Sequence, residues 1–145
     1  MQNRIRYAVS NQTVNGVTNP FTRSGGMRSA TPASVAATTL LYVCASGLGS
    51  TAPADHCGPG AVGTGGSTTL TANAPVVIWS VGANAAAGGT SVHEARNPNP
   101  NGGVVDRIFV SRTHTDVPGS EFDDIVTWLS TGALISRMLL GGQLP

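Results

Sequence analysis

The sequence contains no lysine and few charged residues of either sign. All eight basic residues are arginines, and charged side chains make up 10% of the 145 residues. The arginines are scattered between Arg4 and Arg137, so they form no local basic patch. Proteins that bind nucleic acids normally present a basic stripe, whereas the formal net charge here is only +1. We therefore predict no nucleic-acid partner.

The sequence also lacks a long apolar run. No stretch of about 18 consecutive apolar residues is present, so the sequence predicts no transmembrane helix. The first residues, Met1-Gln-Asn-Arg-Ile-Arg, contain no apolar signal region. Apolar and polar residues already alternate over residues 4–10, as they do in a strand, and only three residues precede this segment. Because a strand begins so close to the first residue, we expect the chain to be part of a longer protein that begins upstream.

Cysteine occurs only twice, at Cys44 and Cys57. Two free thiols in a cytosolic protein are one interpretation. The other is a disulfide across a loop that has little structure of its own, where a bridge closing about 15 residues contributes on the order of 3 kcal/mol. No second cysteine pair is present for a zinc site. We predict the disulfide, which places the protein in an oxidising compartment, either the periplasm or the cell exterior.

The 19 glycines and 9 prolines indicate a chain rich in loops, within a single domain that spans residues 1–145. Apolar and β-branched runs predict strands over residues 4–10, 38–46, 75–82, 107–112 and 124–129. Residues 68–71 are predicted as a short edge strand or a turn. Apolar residues at helical spacing then predict a C-terminal helix, which Ser130 or Thr131 can cap and Gly141 can end.

The predicted strands come first and the helix last, without β-α-β alternation. This order predicts an α+β fold with a mainly antiparallel sheet of about four or five strands, long Gly/Pro-rich loops and a short C-terminal helix. A helix of about ten residues is too short to cover one face of such a sheet, so we expect an N-terminal helix outside this sequence to cover it. The predicted core residues are Ile78, Trp79, Phe109, Ile125 and Trp128.

Four carboxylates surround one loop and form the densest acidic group in the sequence. They are Asp116, Glu121, Asp123 and Asp124. One interpretation is structural, with Asp123 and Asp124 at a strand end, paired with Arg107 or Arg112. The alternative is a Ca²⁺ site, because hard cations take several oxygen ligands from such loops. The spacing is not the regular one of a calcium-binding loop, and both interpretations stay open.

The sequence indicates no catalytic constellation. His56, His93 and His114 lie in predicted loops, where we expect them to be exposed to solvent. Neither an HExxH nor a GxSxG motif is present. A hydrolase would require His93 or His114 beside a serine. We predict that the protein is not an enzyme.

Four blocks of the sequence resemble a known family. They are Asn3-Arg-Ile-Arg-Tyr-Ala-Val, Ala74-Pro-Val-Val-Ile-Trp-Ser-Val-Gly-Ala-Asn, Asp106-Arg-Ile-Phe-Val-Ser-Arg-Thr and Phe122-Asp-Asp-Ile-Val-Thr-Trp-Leu-Ser, the last followed by Arg137-Met and the terminal Gly-Gln-Leu-Pro. In order and content they resemble the globular head of type IV pilin-like proteins of Gram-negative bacteria, including the pseudopilins of type II secretion. The last block is the most specific.

The resemblance implies a structural, non-catalytic subunit of a type IV pilus-like filament or a type II secretion pseudopilus. Its partners would be other pilin or pseudopilin subunits, and its location would be periplasmic or extracellular. Such proteins carry a long N-terminal helix that holds the precursor in the inner membrane, and that helix is absent from this sequence. Membrane contact is therefore expected only through it.

The resemblance also implies a Ca²⁺ ion in a loop before the last strands, comparable in position to residues 116–124. No other cofactor is expected. A different class of function stays open beside the filament subunit, namely a secreted β-rich module that binds surfaces or glycans through its long loops.

Overall fold

A computed structural model of the chain describes residues 5–48, 57, 69–84, 91–97 and 107–143. In chain order, the elements of this part are β1 (Ile5–Val9), α1 (Gly26–Ser29), α2 (Pro32–Ala37), β2 (Leu41–Cys44), β3 (Thr69–Ala74), β4 (Val76–Ser80), β5 (Ile108–Val110), β6 (Ile125–Leu129) and α3 (Thr131–Leu140). A 3₁₀ helix at Glu94–Arg96 lies between β4 and β5. The α+β class predicted from the sequence is confirmed.

The first sheet has the strand order β1-β4-β6, and both pairs are antiparallel. Tyr7 of β1 lies opposite Ile78 of β4, which in turn lies opposite Thr127 of β6. Because side chains alternate along a strand, this register divides the sheet into two distinct faces. The inner face packs into the core, and the outer face is described below.

The second sheet has the order β3-β2-β5, with β2 antiparallel to β3 and parallel to β5. The chain passes from one sheet to the other at the buried Pro75, between β3 and β4. The predicted disulfide is present, and it links Cys44 at the end of β2 to Cys57 with a Cα–Cα distance of 5.6 Å. Both cysteines are buried beside β5, so the bridge belongs to the core.

The two sheets share one hydrophobic core. The first sheet contributes Val77 and Trp79 from its inner face, and the second contributes Phe109 together with residues of β2 and β3. The rings of Trp79 and Phe109 lie 5.0 Å apart, within the range of favourable aromatic pairs. The predicted single sheet of four or five strands is therefore divided into two sheets that pack against each other.

The C-terminal helix α3 begins as predicted, because the Ser130 side chain accepts a hydrogen bond from the backbone N–H of Ala133. Helices α1 and α2 lie between the predicted strands 4–10 and 38–46, where no helix was predicted. Thr31 caps α2 through the N–H of Ser34, and Pro32 occupies its first turn. A capping threonine followed by proline is a recognised signal for the start of a helix. Thr31 and Pro32 therefore mark the start of α2 in the sequence.

Two predicted core residues are not in the core. Ile78 and Ile125 are exposed, since both point to the outer face of the first sheet, and that part of the core prediction was wrong. Trp79 and Phe109 are buried, and Trp128 is half-buried against the core. The error arose because β4 is apolar on both faces, which is typical of a strand covered on both sides.

The helices are short. In the part of the chain that the structure describes, none combines the length and the apolar character needed to cross a membrane. The longest, α3, has 10 residues and contacts α2. Ile5, Tyr7 and Ile125 remain exposed, so α3 does not cover the outer face of the first sheet.

Candidate functional site

Glu94, Asp123 and Asp124 form a carboxylate cluster between two loops. One carboxylate oxygen from each lies within 4.8 Å of those of the other two. Glu94 and Asp124 are buried, and Asp123 is half-buried. Asp123 and Asp124 directly precede β6, whereas Glu94 begins the 3₁₀ helix, so the tertiary structure brings together residues 29 positions apart.

Both carboxylate oxygens of Asp124 accept hydrogen bonds. Oδ1 accepts from the Gly82 backbone N–H at 2.9 Å, and Oδ2 accepts from the Asn97 side-chain amide at 2.7 Å. Burial raises the pKa of Asp124, these two hydrogen bonds oppose the rise, and the nearby Glu94 and Asp123 add to it. Through these two hydrogen bonds, Asp124 links the residues that follow β4 to the segment that contains Asn97.

Asn97 covers the free edge of β5. Its Oδ1 accepts from the Val110 N–H at 2.7 Å, and its Nδ2 donates to the Val110 carbonyl at 3.1 Å. Strand β5 pairs with β2 on its other side, so Val110 would otherwise present an unpaired edge inside the protein. The asparagine amide replaces a neighbouring strand at this point.

Glu94 and Asp123 bind the neighbouring loops in the same manner. Glu94 Oε2 accepts from the Asn84 amide at 2.9 Å, and its Oε1 accepts from the Asp123 backbone N–H at 3.0 Å. Asp123 Oδ2 accepts from the Ala83 N–H at 2.7 Å. These hydrogen bonds hold the loops after β4 and before β6 against the 3₁₀ helix.

One oxygen of the cluster has no protein partner in the described part of the chain. Asp123 Oδ1 is buried and accepts no hydrogen bond. A side chain at Gly82 would overlap the Asp123 carboxylate, so this approach requires a glycine. Carboxylate oxygens are the ligands that Ca²⁺ prefers, and ligands on opposite sides of that ion lie about 5 Å apart. The spacing of the cluster is compatible with such an ion.

The structure brings together only two of the four predicted carboxylates. Asp116 is exposed and lies 3.4 Å from His114, away from the cluster. Glu121 contributes its backbone carbonyl, which accepts from the Ser91 hydroxyl at 2.6 Å, but its carboxylate does not join the cluster. Asp123 and Asp124 bind N–H groups, so the predicted pairing with Arg107 or Arg112 is not what holds them.

Glu94 was missed as a member of the cluster. It is the neighbour of His93, in one of the Gly/Pro-rich predicted loops. The loop instead buries Ser91, His93, Glu94 and Asn97. No local pattern marks Glu94, because its role depends on a contact with a segment distant in the sequence.

His93 is also buried, and the expectation that it is exposed was wrong. Its Nδ1 accepts the Gly47 N–H at 3.0 Å and lies 3.4 Å from the Ser46 hydroxyl. Burial lowers the pKa of His93, as does the positive charge of Arg112, while Glu94 opposes this. His114 is exposed as expected, and His56 lies outside the described residues.

The contact between Ser46 and His93 is not the geometry of an activated nucleophile. Nδ1 has a single lone pair, and the backbone N–H of Gly47 already points at it at the shorter distance. The Ser46 hydroxyl in turn accepts from the Leu48 N–H at 3.1 Å. We interpret His93 as the anchor of the loop that follows β2.

The outer face of the first sheet is an apolar surface. It consists of nine residues that share one side of the register: Ile5, Tyr7, Val9, Val76, Ile78, Ser80, Ile125, Thr127 and Leu129. None of the nine carries a charge. Ile5 is 78% exposed, Tyr7 73% and Ile125 71%, while Ile78 in the central strand is 39% exposed. Exposed apolar residues that adjoin one another mark interaction sites more often than scattered ones do.

Comparisons with protein-family models, with curated proteins and with solved structures find no match for this chain. What the protein does is therefore inferred from its own features, above all from the outer face and the carboxylate cluster.

Proposed function

We propose that this chain is the globular head of a structural, non-catalytic subunit in a type IV pilus-like filament or a type II secretion pseudopilus. The observation that carries the proposal is the uncharged outer face, where Ile5, Tyr7 and Ile125 are each more than two-thirds exposed. In the family that the sequence resembles, the sheet of the head packs against the long N-terminal helix, so an uncovered apolar sheet face is what such a head would present.

The exposure of this face has an energetic cost that a partner would remove. Full burial of a large apolar side chain contributes about 1.5–3 kcal/mol, so covering Ile5, Tyr7 and Ile125 would contribute roughly 3–7 kcal/mol. Each of the three lies in an edge strand of the sheet, and Ile78 lies between them. The favourable contact is therefore continuous across all three strands.

The dimensions of the face suit a single helix. Three strands spaced by about 4.8 Å place the two outer strands about 10 Å apart, which matches the 10–12 Å diameter of an α-helix. Five residues of strand extend about 16 Å, the length of about 11 helical residues. An apolar helix of three turns would cover the face, which α3 leaves exposed at Ile5, Tyr7 and Ile125.

The disulfide supports the compartment in which such filaments assemble. Cys44 and Cys57 are both buried and bonded to each other. Bridges of this kind persist in the periplasm or outside the cell and are rare in the cytosol. We place the protein in the periplasm or at the cell surface on this ground.

We propose in addition that the carboxylate cluster holds a hard cation, with Ca²⁺ as the candidate. Glu94, Asp123 and Asp124 would each supply one oxygen, and the buried Asp123 Oδ1 would gain the partner it lacks in the described part of the chain. The ion would stabilise the loops after β4 and before β6 and would have no catalytic role.

Photo-crosslinking from the outer face tests the filament proposal. A photoreactive phenylalanine analogue replaces Tyr7 in the full-length protein expressed in its source cells, and the same analogue replaces Val117 as the control. Val117 is exposed and apolar but is not one of the nine residues of the outer face. We expect adducts from position 7 whose cross-linked peptide is an apolar helix of a filament subunit, and none with such a helix from position 117.

A second measurement uses Tyr7→Asp and the control Val92→Asp, because Val92 is exposed and apolar but belongs to no strand of the first sheet. The first should be absent from filaments sheared from the cells although the protein is folded, while the second should be retained. Retention of Tyr7→Asp in filaments, or a position-7 adduct that maps to no helix, would refute the proposal. Binding of the purified chain to immobilised glycans would then favour a secreted binding module instead.

The cation proposal is tested separately by thermal unfolding after treatment with a chelator. Adding Ca²⁺ should raise the Tm, because a ligand at about 100 times its Kd stabilises the native state by about 2.7 kcal/mol. Asp123→Asn keeps an oxygen for the Ala83 N–H but weakens the cation site, so it should abolish the effect. Asp116→Asn removes an acid outside the cluster and should leave it unchanged. An unchanged Tm on adding Ca²⁺ excludes the ion.

A further inference from the structure

An open pocket lies where the loop after β1 meets the last turn of α3. Its volume is about 440 Å³, within the range of about 300–1,000 Å³ that ligand pockets commonly show. The residues that determine its chemistry are Phe21, Arg23, Met27, Arg28, Met138 and Gln143. Neither the outer face nor the carboxylate cluster includes any of them.

The pocket combines an apolar floor with a basic rim. Phe21, Met27 and Met138 are half-buried, whereas Arg23 and Arg28 are exposed. No carboxylate lines the pocket, and neither guanidinium forms an ion pair or a side-chain hydrogen bond within the described residues. A ligand that offers a carboxylate beside a small apolar group would satisfy both parts.

The chain carries such a group in the loop of residues 113–120. Asp116 is 91% exposed in its side chain, and Val117 beside it is also exposed. The loop is held closed at its base by the reciprocal backbone hydrogen bonds of Thr115 and Phe122, at 3.0 and 2.8 Å. Pro118 and the positive φ of Gly119 form a tight turn closed by the Ser120 N–H to Val117 carbonyl bond of 2.9 Å.

We propose that this loop of one copy of the chain inserts into the arginine pocket of a second copy. The Asp116 carboxylate would pair with Arg23 and Arg28, and Val117 would pack on the apolar floor. The inference rests on the proposed filament function, which it deepens by naming a contact between adjacent heads. Charge complementarity and the preformed turn support a second copy as the occupant, because a rigid loop loses little entropy on binding.

The two surfaces are different parts of the molecule, so the contact is heterologous. A heterologous contact leaves a free loop at one end of each pair and a free pocket at the other. Unless the rotation between copies closes a ring, repetition produces an open array. This is the geometry that a filament requires.

Cross-linking between two marked chains tests the contact. One chain carries Ser24→Cys at the pocket, the other carries Val117→Cys, and the native Cys44–Cys57 bond occupies the remaining thiols. The chains are mixed in air, whose oxygen takes up the two electrons of thiol oxidation, at about 1 mM, which is comparable to the effective concentration of tethered neighbours. We expect a mixed disulfide dimer. The control pair, Ser24→Cys with Val92→Cys, places the second thiol on an exposed apolar residue of another loop and should not react.

Charge reversal is the second test of the contact between the loop and the arginine pocket. Asp116→Arg in one chain, or Arg23→Glu with Arg28→Glu in the other, should each reduce the cross-linked fraction about tenfold, since like charges then meet. Combining the reversed chains should restore it to within about twofold. Arg137→Glu makes a similar change on an exposed residue outside the pocket and should have no effect.

Absence of the mixed dimer, or a yield unaffected by charge reversal, overturns the inference. If the pocket instead binds a free carboxylated sugar or inorganic phosphate while no dimer forms, it belongs to a small anion and the inference is equally overturned. The photo-crosslinking result at position 7 does not depend on the head contact, because a helix can bind to the outer face without the pocket or the loop. Failure of the head contact therefore leaves the filament proposal standing, whereas failure at Tyr7 removes the filament on which the head contact depends, so the two failures are distinguishable.

Discussion

The clearest quantitative test of the structure is the replacement of Asn97 by alanine. Asn97 is buried, and its side chain makes three hydrogen bonds, two with the backbone of Val110 and one with Asp124. The substitution removes all three bonds, while the loss of apolar packing is small. Whatever stability is lost therefore reports on buried polar groups.

The magnitude follows from the groups left behind. Alanine at position 97 leaves the Val110 N–H, the Val110 carbonyl and Asp124 Oδ2 without their partner. A buried group without a partner costs about 1–3 kcal/mol. Asp124 keeps its hydrogen bond from the Gly82 N–H, so the loss of Asn97 costs this carboxylate less than it costs the two Val110 groups. We expect Asn97→Ala to lower the free energy of unfolding by about 3–5 kcal/mol in total. That is a large part of the 5–15 kcal/mol typical of domain stability.

The assay is urea unfolding followed by the fluorescence of Trp79 and Trp128, and the m-value should not change. Asn97→Asp is the matched variant, because it keeps the acceptor for the Val110 N–H but turns both donor contacts into contacts between oxygens. It should be at least as destabilised as the alanine variant at neutral pH and should recover as the added carboxyl is protonated. A loss below about 1 kcal/mol for Asn97→Ala would refute the role of Asn97, because buried groups without partners cost more than that.

Two further predictions concern the loops that flank β2. Removing the disulfide with Cys44→Ala and Cys57→Ala should lower the free energy of unfolding by about 3 kcal/mol, because the bridge joins residues 13 positions apart. This loss corresponds to a Tm lower by on the order of 10 °C. An unchanged Tm would count against a stabilising bridge. The pKa of His93 is lowered in the native protein, so the unfolded chain takes up the proton of this histidine at a higher pH than the native protein does. The contribution of His93 to the free energy of unfolding is therefore fully present above about pH 6.5. It is lost as the pH falls from there towards the pKa of His93 in the folded state. His93→Gln supplies an oxygen for the Gly47 N–H and should flatten this dependence in urea titrations between about pH 5 and 7, whereas the same slope in both proteins would show that another group titrates.

The secondary structure was largely predictable from local patterns. Helix α3 and its cap at Ser130 followed from helical spacing and from a residue with known capping chemistry. The strands around Tyr7, Trp79 and Phe109 followed from alternation and β-branched content. The disulfide also followed from composition, since two cysteines flanking a loop of small residues leave a single pairing to consider.

The candidate site was predictable only in part. Asp123 and Asp124 were identified because they stand together at the start of a strand, but Glu94 and Asn97 were not. Both lie in a glycine- and proline-rich stretch, and only their packing against β5 and β6 gives them a function. Local sequence carries no information about which distant backbone groups a buried amide will meet.

The class of the fold, the positions of its main strands, its C-terminal helix and its disulfide can be predicted from the sequence, because they depend on short-range periodicity, capping and composition. The division of the strands into two sheets, and the position of Ile5, Tyr7, Ile78 and Ile125 on one exposed face, become visible only in the folded chain. This is because an apolar residue in a strand has the same local pattern whether its face is covered or open. Exposure depends on what packs against that face, which only the arrangement of the whole chain shows.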